Sequence, residues 1–308
     1  MRGLKEVGKG QLRHLFEFGQ RLGVDILPKH FYSNVPDIAR LRRTKAWRKP
    51  LDMCGVAGAD MDSQAAFLED LFPPSLTAGL AALDIHNIAV KENGQGGGYG
   101  TIEADVLHAF IRRHRPERIV QIGCGVSTSI VLRAAKLADY KPVVVCVEPF
   151  PPAFLSAAGQ DGRIELLKTG AEECPREVLT GLAAGDLLFI DSTHTVKAGS
   201  EVNRIILDIL PRLSPGVFVH FHDIFFPYDY QRTLLSETLF FWTESTLLHA
   251  FLTGNAHCKI ALSLSMLHYG APHRIASVIP YYDPQQNDEG LRAPGGKHFP
   301  SSAYLRTA

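Results

Sequence analysis

An α/β fold built on a mostly parallel sheet is what this 308-residue sequence predicts, and three observations carry the prediction. From residue 101 onward, short apolar runs alternate with longer stretches of helical spacing. The first run, Arg118–Ile122, opens into Gly123-Cys124-Gly125 before a new helical stretch begins. Polar residues then fall where later runs end: Glu148, Asp191, His222 and Asp223. Strands alternating with helices make βαβ units and a parallel sheet. Such a sheet takes its ligands beyond the carboxyl ends of its strands.

In chain order, residues 1–97 read as a helical N-terminal extension, broken at Pro28, Pro36 and Pro73-Pro74, and expected to act as a lid or an oligomer contact. ENGQGGGYG (92–100) holds five glycines and reads either as a linker or as a loop lying close to a ligand. Residues 98–308 form the main domain. Ile102, Val106 and Phe110 follow i, i+4, i+8, which predicts an amphipathic helix over 102–114. A strand at 118–122 precedes a helix at 127–138, and strands follow at 142–147, 164–168 and 187–190. Val202, Ile205, Ile206, Ile209 and Leu210 make a helical stripe stopped by Pro211. A strand at 217–221, a helix at 243–252 and late strands at 259–264 and 303–306 complete seven strands.

Composition excludes some partners. Formal net charge is zero and 45% of residues are hydrophobic, so no global field draws the chain to nucleic acid or an anionic membrane. Residues 1–50 do hold twelve Lys and Arg against four Asp and Glu, densest in RLRRTKAWRK (40–49). That segment reads as a solvated face with side-chain stems on apolar surface. Five cysteines without a CxxC pair predict reduced thiols rather than a disulfide framework. No apolar run reaches the ~18 residues of a membrane helix, and the first twenty residues lack a signal-peptide core. A soluble, cytoplasmic protein is the expectation.

The glycine loop narrows the ligand. Gly123-Cys124-Gly125-Val126-Ser127-Thr128 lacks the third glycine of a dinucleotide fingerprint, and no GK[ST] follows. Two glycines still admit a close ligand, and the helix start still offers N–H groups to a carboxylate. Glu148 ends the next strand, where an acid can accept both ribose hydroxyls. A ribose plus an amino-acid carboxylate without pyrophosphate describes S-adenosylmethionine. RIVQIGCGVSTSI, VCVEP and GDLLFIDSTHT, in that order, resemble the motifs of the class I S-adenosylmethionine-dependent methyltransferases. HFYSNVPD (30–37), the stretch 98–128 and NRIILDILPRLSPGVFVHFHDIFFPYDY (203–230) resemble, more narrowly, a bacterial small-molecule subgroup.

The resemblance implies a Rossmann-like seven-stranded sheet and places the cofactor. It gives Gly123, Gly125 and Ser127 to the methionine end, with Gln121 at its amino group and Glu148 at the ribose. Ala171 and Glu172 would flank the adenine, Asp191 would lie near the amino group or a metal, and Tyr99 would close over the cofactor. Family members often carry an acid where Gln121 stands, and Gln cannot balance the ligand's positive charge.

For a small-molecule hydroxyl acceptor, His194, three residues past Asp191, is the expected general base. The resemblance to metal-dependent members makes Asp191, His222 and Asp223 candidate ligands of a divalent metal. In the metal-free alternative His222 is a hydrogen-bonding pocket residue, while Lys197 reads as a solvated loop residue or a back-up base and His220 as a core histidine. A histidine in such a set suits a transition metal better than magnesium. Phe225, Phe226, Tyr228, Tyr230, Phe240, Phe241, Trp242 and Tyr281-Tyr282 are expected to be core, with a few walling an acceptor pocket. Two other classes compete: a metal-dependent oxygenase or hydroxylase on the same fold, and a non-catalytic cofactor- or RNA-binding module. A small-molecule acceptor is the expected partner, without membrane or nucleic acid, and a homo-oligomer is an open expectation.

Overall fold

A computed structural model describes residues 2–27, 31–94, 98–229, 240–287, 290–292 and 299–308. The middle of the glycine-rich stretch, Pro28, His30 and Tyr230 therefore lie outside the described residues. The chain divides into two compact units, Met1–Thr44 and Lys45–Ala308. The first contains helices α1 (Arg2–Arg21) and α2 (Ile38–Thr44).

The second unit begins its helices well before the boundary expected at 97/98. α3 (Met61–Leu71), α4 (Pro74–Gly79) and α5 (Ile85–Asn93) belong to it. Leu68, Leu71, Leu80 and Ile85 join the same buried cluster as Phe110 and Phe189, so these helices are part of the main body. α6 (Thr101–His114) follows. It is not amphipathic, since every residue from Ile102 to Ile111 is buried, Glu103, Asp105 and His108 included. Helix α7 (Val126–Leu137) and the sheet pack around it.

The main sheet has seven strands: β1 (Arg118–Ile122), β2 (Val143–Val147), β3 (Glu165–Leu167), β4 (Leu187–Ile190), β5 (Phe218–Phe221), β6 (Cys258–Ser263) and β7 (Ala303–Thr307). Their order is β3-β2-β1-β4-β5-β7-β6. β1 to β5 pair in parallel, while β7 runs antiparallel between β5 and β6. A separate hairpin pairs Gln285–Asn287 with Gly290–Arg292.

The strand sequences show why the sheet is a central layer. Successive side chains point to opposite faces. In β4, Leu187 and Phe189 enter one apolar cluster while Leu188 and Ile190 enter the other. Val144 and Cys146 alternate with Val145 and Val147 in the same way. A strand buried on both faces reads as a continuous apolar run, which is how VVVCV and LLFI read. The helical stripe past residue 200 starts as α-helix (Glu201–Arg204), passes through a π-helical turn (Ile205–Ile209) and ends in a 3-10 turn (Leu210–Arg212). All five cysteines are free thiols. Among the described residues, no helix is long and apolar enough to cross a membrane.

Candidate active site

Four strands of the parallel sheet deliver their next residue to one edge. Gly123, Glu148, Asp191 and His222 each follow the last residue of β1, β2, β4 and β5. Each N–H extends the ladder by one bond, to Val147, Leu167, Ile122 and Ile190 respectively, at 2.8–3.2 Å. The sheet's register thus fixes these four positions before any side chain acts.

The β1–α7 turn owes its shape to two different glycines. Gly123 has φ +75°, and a Cβ there would stand 1.6 Å from the Asp191 carbonyl oxygen. Backbone meets backbone at that point, so only glycine fits. Gly125 caps α7 with an extended φ of 169°. A Cβ there would come no closer than 3.5 Å to the Asn93 amide. It would be tolerated by the protein but would enter the space above the turn. That space is a cavity of about 250 Å³ lined by Tyr99, Gly123, Gly125, Ser127, Glu148 and Asp191, with Asn93 and Gly98 among its other walls. Glu148 reaches it with Oε2 accepting from the Cys124 N–H (3.1 Å) and Oε1 from the Phe150 N–H (2.9 Å).

Asp191 is shared with a second, largely buried group. His194 Nε2 lies 3.4 Å from Asp191 Oδ1, and His222 Nδ1 lies 3.3 Å from the same oxygen. Both nitrogens also face Asp223 Oδ2, at 3.6 and 3.5 Å. The far side of each ring is held by a glutamate: His194 Nδ1 by Glu244 Oε2 at 2.8 Å, His222 Nε2 by Glu103 Oε2 at 3.2 Å. Glu103, in the first turn of α6, accepts in addition from the Gly100 N–H, the Ser301 N–H and the Ser302 hydroxyl. Burial opposes its charge, but His222 and these donors prevail and hold its carboxyl down to about 2. Asp191 is likewise held below the usual carboxylate range by the two histidines, against burial.

Backbone conformation aims part of this group. His194 (φ 57°) and Asp223 (φ 54°) sit in the left-handed region, which non-glycine residues adopt at a cost of roughly 1–3 kcal/mol and which gathers at functional sites. His194 also lies under the Trp242 ring, centroids 4.9 Å apart, and Trp242 stacks on Phe225. Tyr99 packs on the His222 ring at 4.9 Å and places its hydroxyl 3.2 Å from His220 Nε2.

A family model described as a methyltransferase domain matches residues 120–224. Over these residues, about a third of its length, the chain is similar to a methyltransferase domain. The mostly parallel sheet of seven strands is the arrangement the sequence led us to expect. An uncharacterized protein of Archaeoglobus fulgidus is 32% identical over 139 residues, 42% of this chain. The match spans 60% of that relative's length, less than two thirds of it. Among solved structures, the SAH-bound Podospora anserina methyltransferase PaMTH1 is 16% identical, with a TM-score of 0.40 over 92% of this chain and 99% of that one. The plantazolicin methyltransferase BpumL, solved with a triazolic desmethylPZN analog and SAH, is 10% identical, with a TM-score of 0.41 over 80% of this chain and 99% of that one.

Six of the residues named from the sequence as cofactor contacts, Tyr99, Gly123, Gly125, Ser127, Glu148 and Asp191, come together around one cavity. Three expected contacts lie elsewhere. Gln121 is fully buried beneath the turn, its Nε2 3.5 Å from the Ser127 hydroxyl. Ala171 and Glu172 present backbone carbonyls to Arg204, at 2.6 and 2.7 Å, and do not line the cavity. The metal set also differs. The residues whose ligand atoms all lie within 4.8 Å of one another are Asp191, His194 and His222. His194 stands where Asp223 was expected, because the loop leaving β4 turns its ring back over Asp191.

The general-base reading of His194 meets an obstacle in the same geometry. Burial favours the neutral ring, but Asp191, Glu244 and Asp223 outweigh it and push the group up to about 10. A ring that keeps its proton at neutral pH does not take another. Lys197 is exposed. Tyr281 hydrogen-bonds Asp105, and Tyr282 hydrogen-bonds His268 Nδ1 (2.5 Å), so neither pair member walls the cavity described. Glu103, Glu244 and Asn93 were not anticipated. A lone Glu in a helical stretch reads as a solvated face. The one available signal was the Gly100-to-Glu103 spacing of a helix cap.

Proposed function

We propose that this chain binds S-adenosylmethionine over the β1–α7 turn and transfers its methyl group to a small molecule, most readily at a hydroxyl oxygen. One observation carries the reading: Asp191 belongs both to the cavity above the glycine turn and to the polar group formed with His194, His222 and Asp223. A cofactor in the cavity and an acceptor beside Asp191 would meet there.

The chain's own residues divide the work. Gly125 leaves room for the amino-acid end, and the start of α7 offers N–H groups to its carboxylate. Glu148 retains a free lone pair on each oxygen for the ribose hydroxyls. Tyr99 and Trp242 supply apolar surface near the transfer point, helping to exclude water and align the acceptor. S-adenosylmethionine brings an activated methyl, so the protein has mainly to orient and to receive a proton. Asp223, whose carboxyl burial raises against the pull of both histidines, is better suited to that task than His194.

The test is calorimetric. Glu148→Ala removes up to two charge-assisted hydrogen bonds of about 1.5–3 kcal/mol each, so S-adenosylmethionine affinity should fall at least tenfold. Unchanged affinity would remove the ribose assignment and, with it, this placement of the cofactor. A second reading, oxygenation by a bound metal, is favoured by two imidazoles standing beside one carboxylate. It predicts oxygen consumption coupled to substrate loss without any demethylated cofactor being formed.

A further inference from the structure

We infer that Asp191, His194 and His222 form a three-ligand site for a first-row divalent transition metal, with Glu244 and Glu103 as the residues that position the two imidazoles. This inference stands apart from the methyl-transfer reading, since it concerns a cation and not the cofactor.

The argument begins with the lone pairs. Glu103 and Glu244 are buried glutamates, and a carboxylate facing a ring nitrogen at 2.8–3.2 Å fixes the proton on that nitrogen. In the neutral form of each ring the hydrogen therefore sits on His194 Nδ1 or His222 Nε2. In that form the other nitrogens, His194 Nε2 and His222 Nδ1, carry lone pairs aimed at Asp191 Oδ1, where a bound cation would take the place of the rings' second protons. Three lone pairs converge on one point, which only protons or a metal cation can make favourable. His222 is 4% exposed, and its Nδ1 makes no hydrogen bond. Among the described residues, no Lys or Arg forms an ion pair with Asp191, Asp223, Glu103 or Glu244.

The spacing suits a small ion. Ligands bound at ~2.0–2.1 Å in a tetrahedral arrangement stand roughly 3.3–3.4 Å apart. The two nitrogens lie 3.4 and 3.3 Å from Asp191 Oδ1. Three protein ligands leave a position open beside Asp223 and the cavity. Donor type decides the class of ion. Magnesium demands oxygen donors in octahedral geometry, whereas imidazole with carboxylate suits zinc, iron and cobalt. Each imidazole backed by a carboxylate is the arrangement that orients a metal-binding histidine and raises its basicity.

The test uses full-length protein stripped with a chelator and titrated separately with Co²⁺, Zn²⁺ and Mg²⁺. Co²⁺ is read by its visible absorption, Zn²⁺ by competition with a chromophoric chelator, and Mg²⁺ by calorimetry. One equivalent of Co²⁺ and of Zn²⁺ should bind, each at least 100-fold tighter than Mg²⁺. His194→Ala should lose that binding. Glu244→Gln, which keeps the ring's neighbour and its shape, should weaken Co²⁺ by about 10–100-fold and alter its spectrum. A thermal melt and S-adenosylmethionine affinity, measured on the same samples, report whether each variant is folded. Magnesium binding as tightly as zinc, a folded His194→Ala that binds Co²⁺ like its parent, or no stoichiometric Co²⁺ binding would each overturn the assignment. None of these results depends on whether methyl transfer occurs.

Discussion

At the scale of single residues, two glycines two positions apart do unlike jobs. Gly125 is open on its cavity side, with the Asn93 amide at 3.5 Å from a hypothetical Cβ. Gly125→Val should therefore give a folded protein whose melting temperature is close to the parent's and whose S-adenosylmethionine affinity is lost, as equilibrium dialysis can measure. Normal binding by that variant would mean the turn does not touch the cofactor. Much of this residue scale was legible: Glu148, Asp191, His194, His222 and Asp223 were singled out because each ends or closely follows an apolar run. Glu103 and Glu244 were not, because their chemistry depends on partners 119 and 50 residues away. No local pattern encodes that separation.

The element that concentrates buried charge is α6. Besides Glu103 it carries Asp105, which is 1% exposed and hydrogen-bonded by the Tyr281 hydroxyl. Burial raises the Asp105 carboxyl to about 7 from an ordinary 3.8. The folded state thus binds this proton more tightly than the unfolded chain. Its contribution to stability is complete below pH ~3.8 and is lost as pH rises through about 7. Asp105→Asn, which stays neutral, should raise the melting temperature at pH 8 by several degrees, a few kcal/mol at most. At pH 4 it should change little. Equal shifts at both pH values, by scanning calorimetry, would contradict the linkage. A period-based reading placed α6 correctly but made it amphipathic. The apolar spacing of Ile102, Val106 and Phe110 was real, yet helices and sheet enclose the opposite face too. The strands were easier, because runs such as LLFI and VVVCV suit only a layer covered on both sides. Their order across the sheet, and the insertion of β7 between β5 and β6, depend on long-range pairing that composition does not reveal.

For the molecule as a whole, the consequential boundary is at Thr44/Lys45. A chain beginning at Lys45 should unfold cooperatively and keep the parent's S-adenosylmethionine affinity. One beginning at Gly98, where the glycine-rich stretch suggested a division, should not fold. It lacks Leu68, Leu71, Leu80 and Ile85, all at most 2% exposed and worth roughly 1.5–3 kcal/mol each. That loss is comparable with the ~5–15 kcal/mol that holds a domain together. Circular dichroism melts of the two chains decide the point, and a cooperative melt from the shorter one would place the core wholly after residue 97. The glycines misled because a glycine-rich stretch also occurs inside a domain, between two helices of one core.

The contact at Gly123 has a consequence for how this site can change over generations. The Asp191 carbonyl fills the space in which any side chain at 123 would have to stand. One position therefore guards both the turn beneath the cavity and the strand end that presents Asp191. A lineage could drift at 125 among small residues and tune its ligand, but at 123 no intermediate step is open. Saturation mutagenesis under selection for a folded, soluble product should return glycine alone at 123 and a wider alphabet at 125. The glycine turn and the polar group around Asp191 would then be inherited as one block, and new specificity would have to arise from the walls around them.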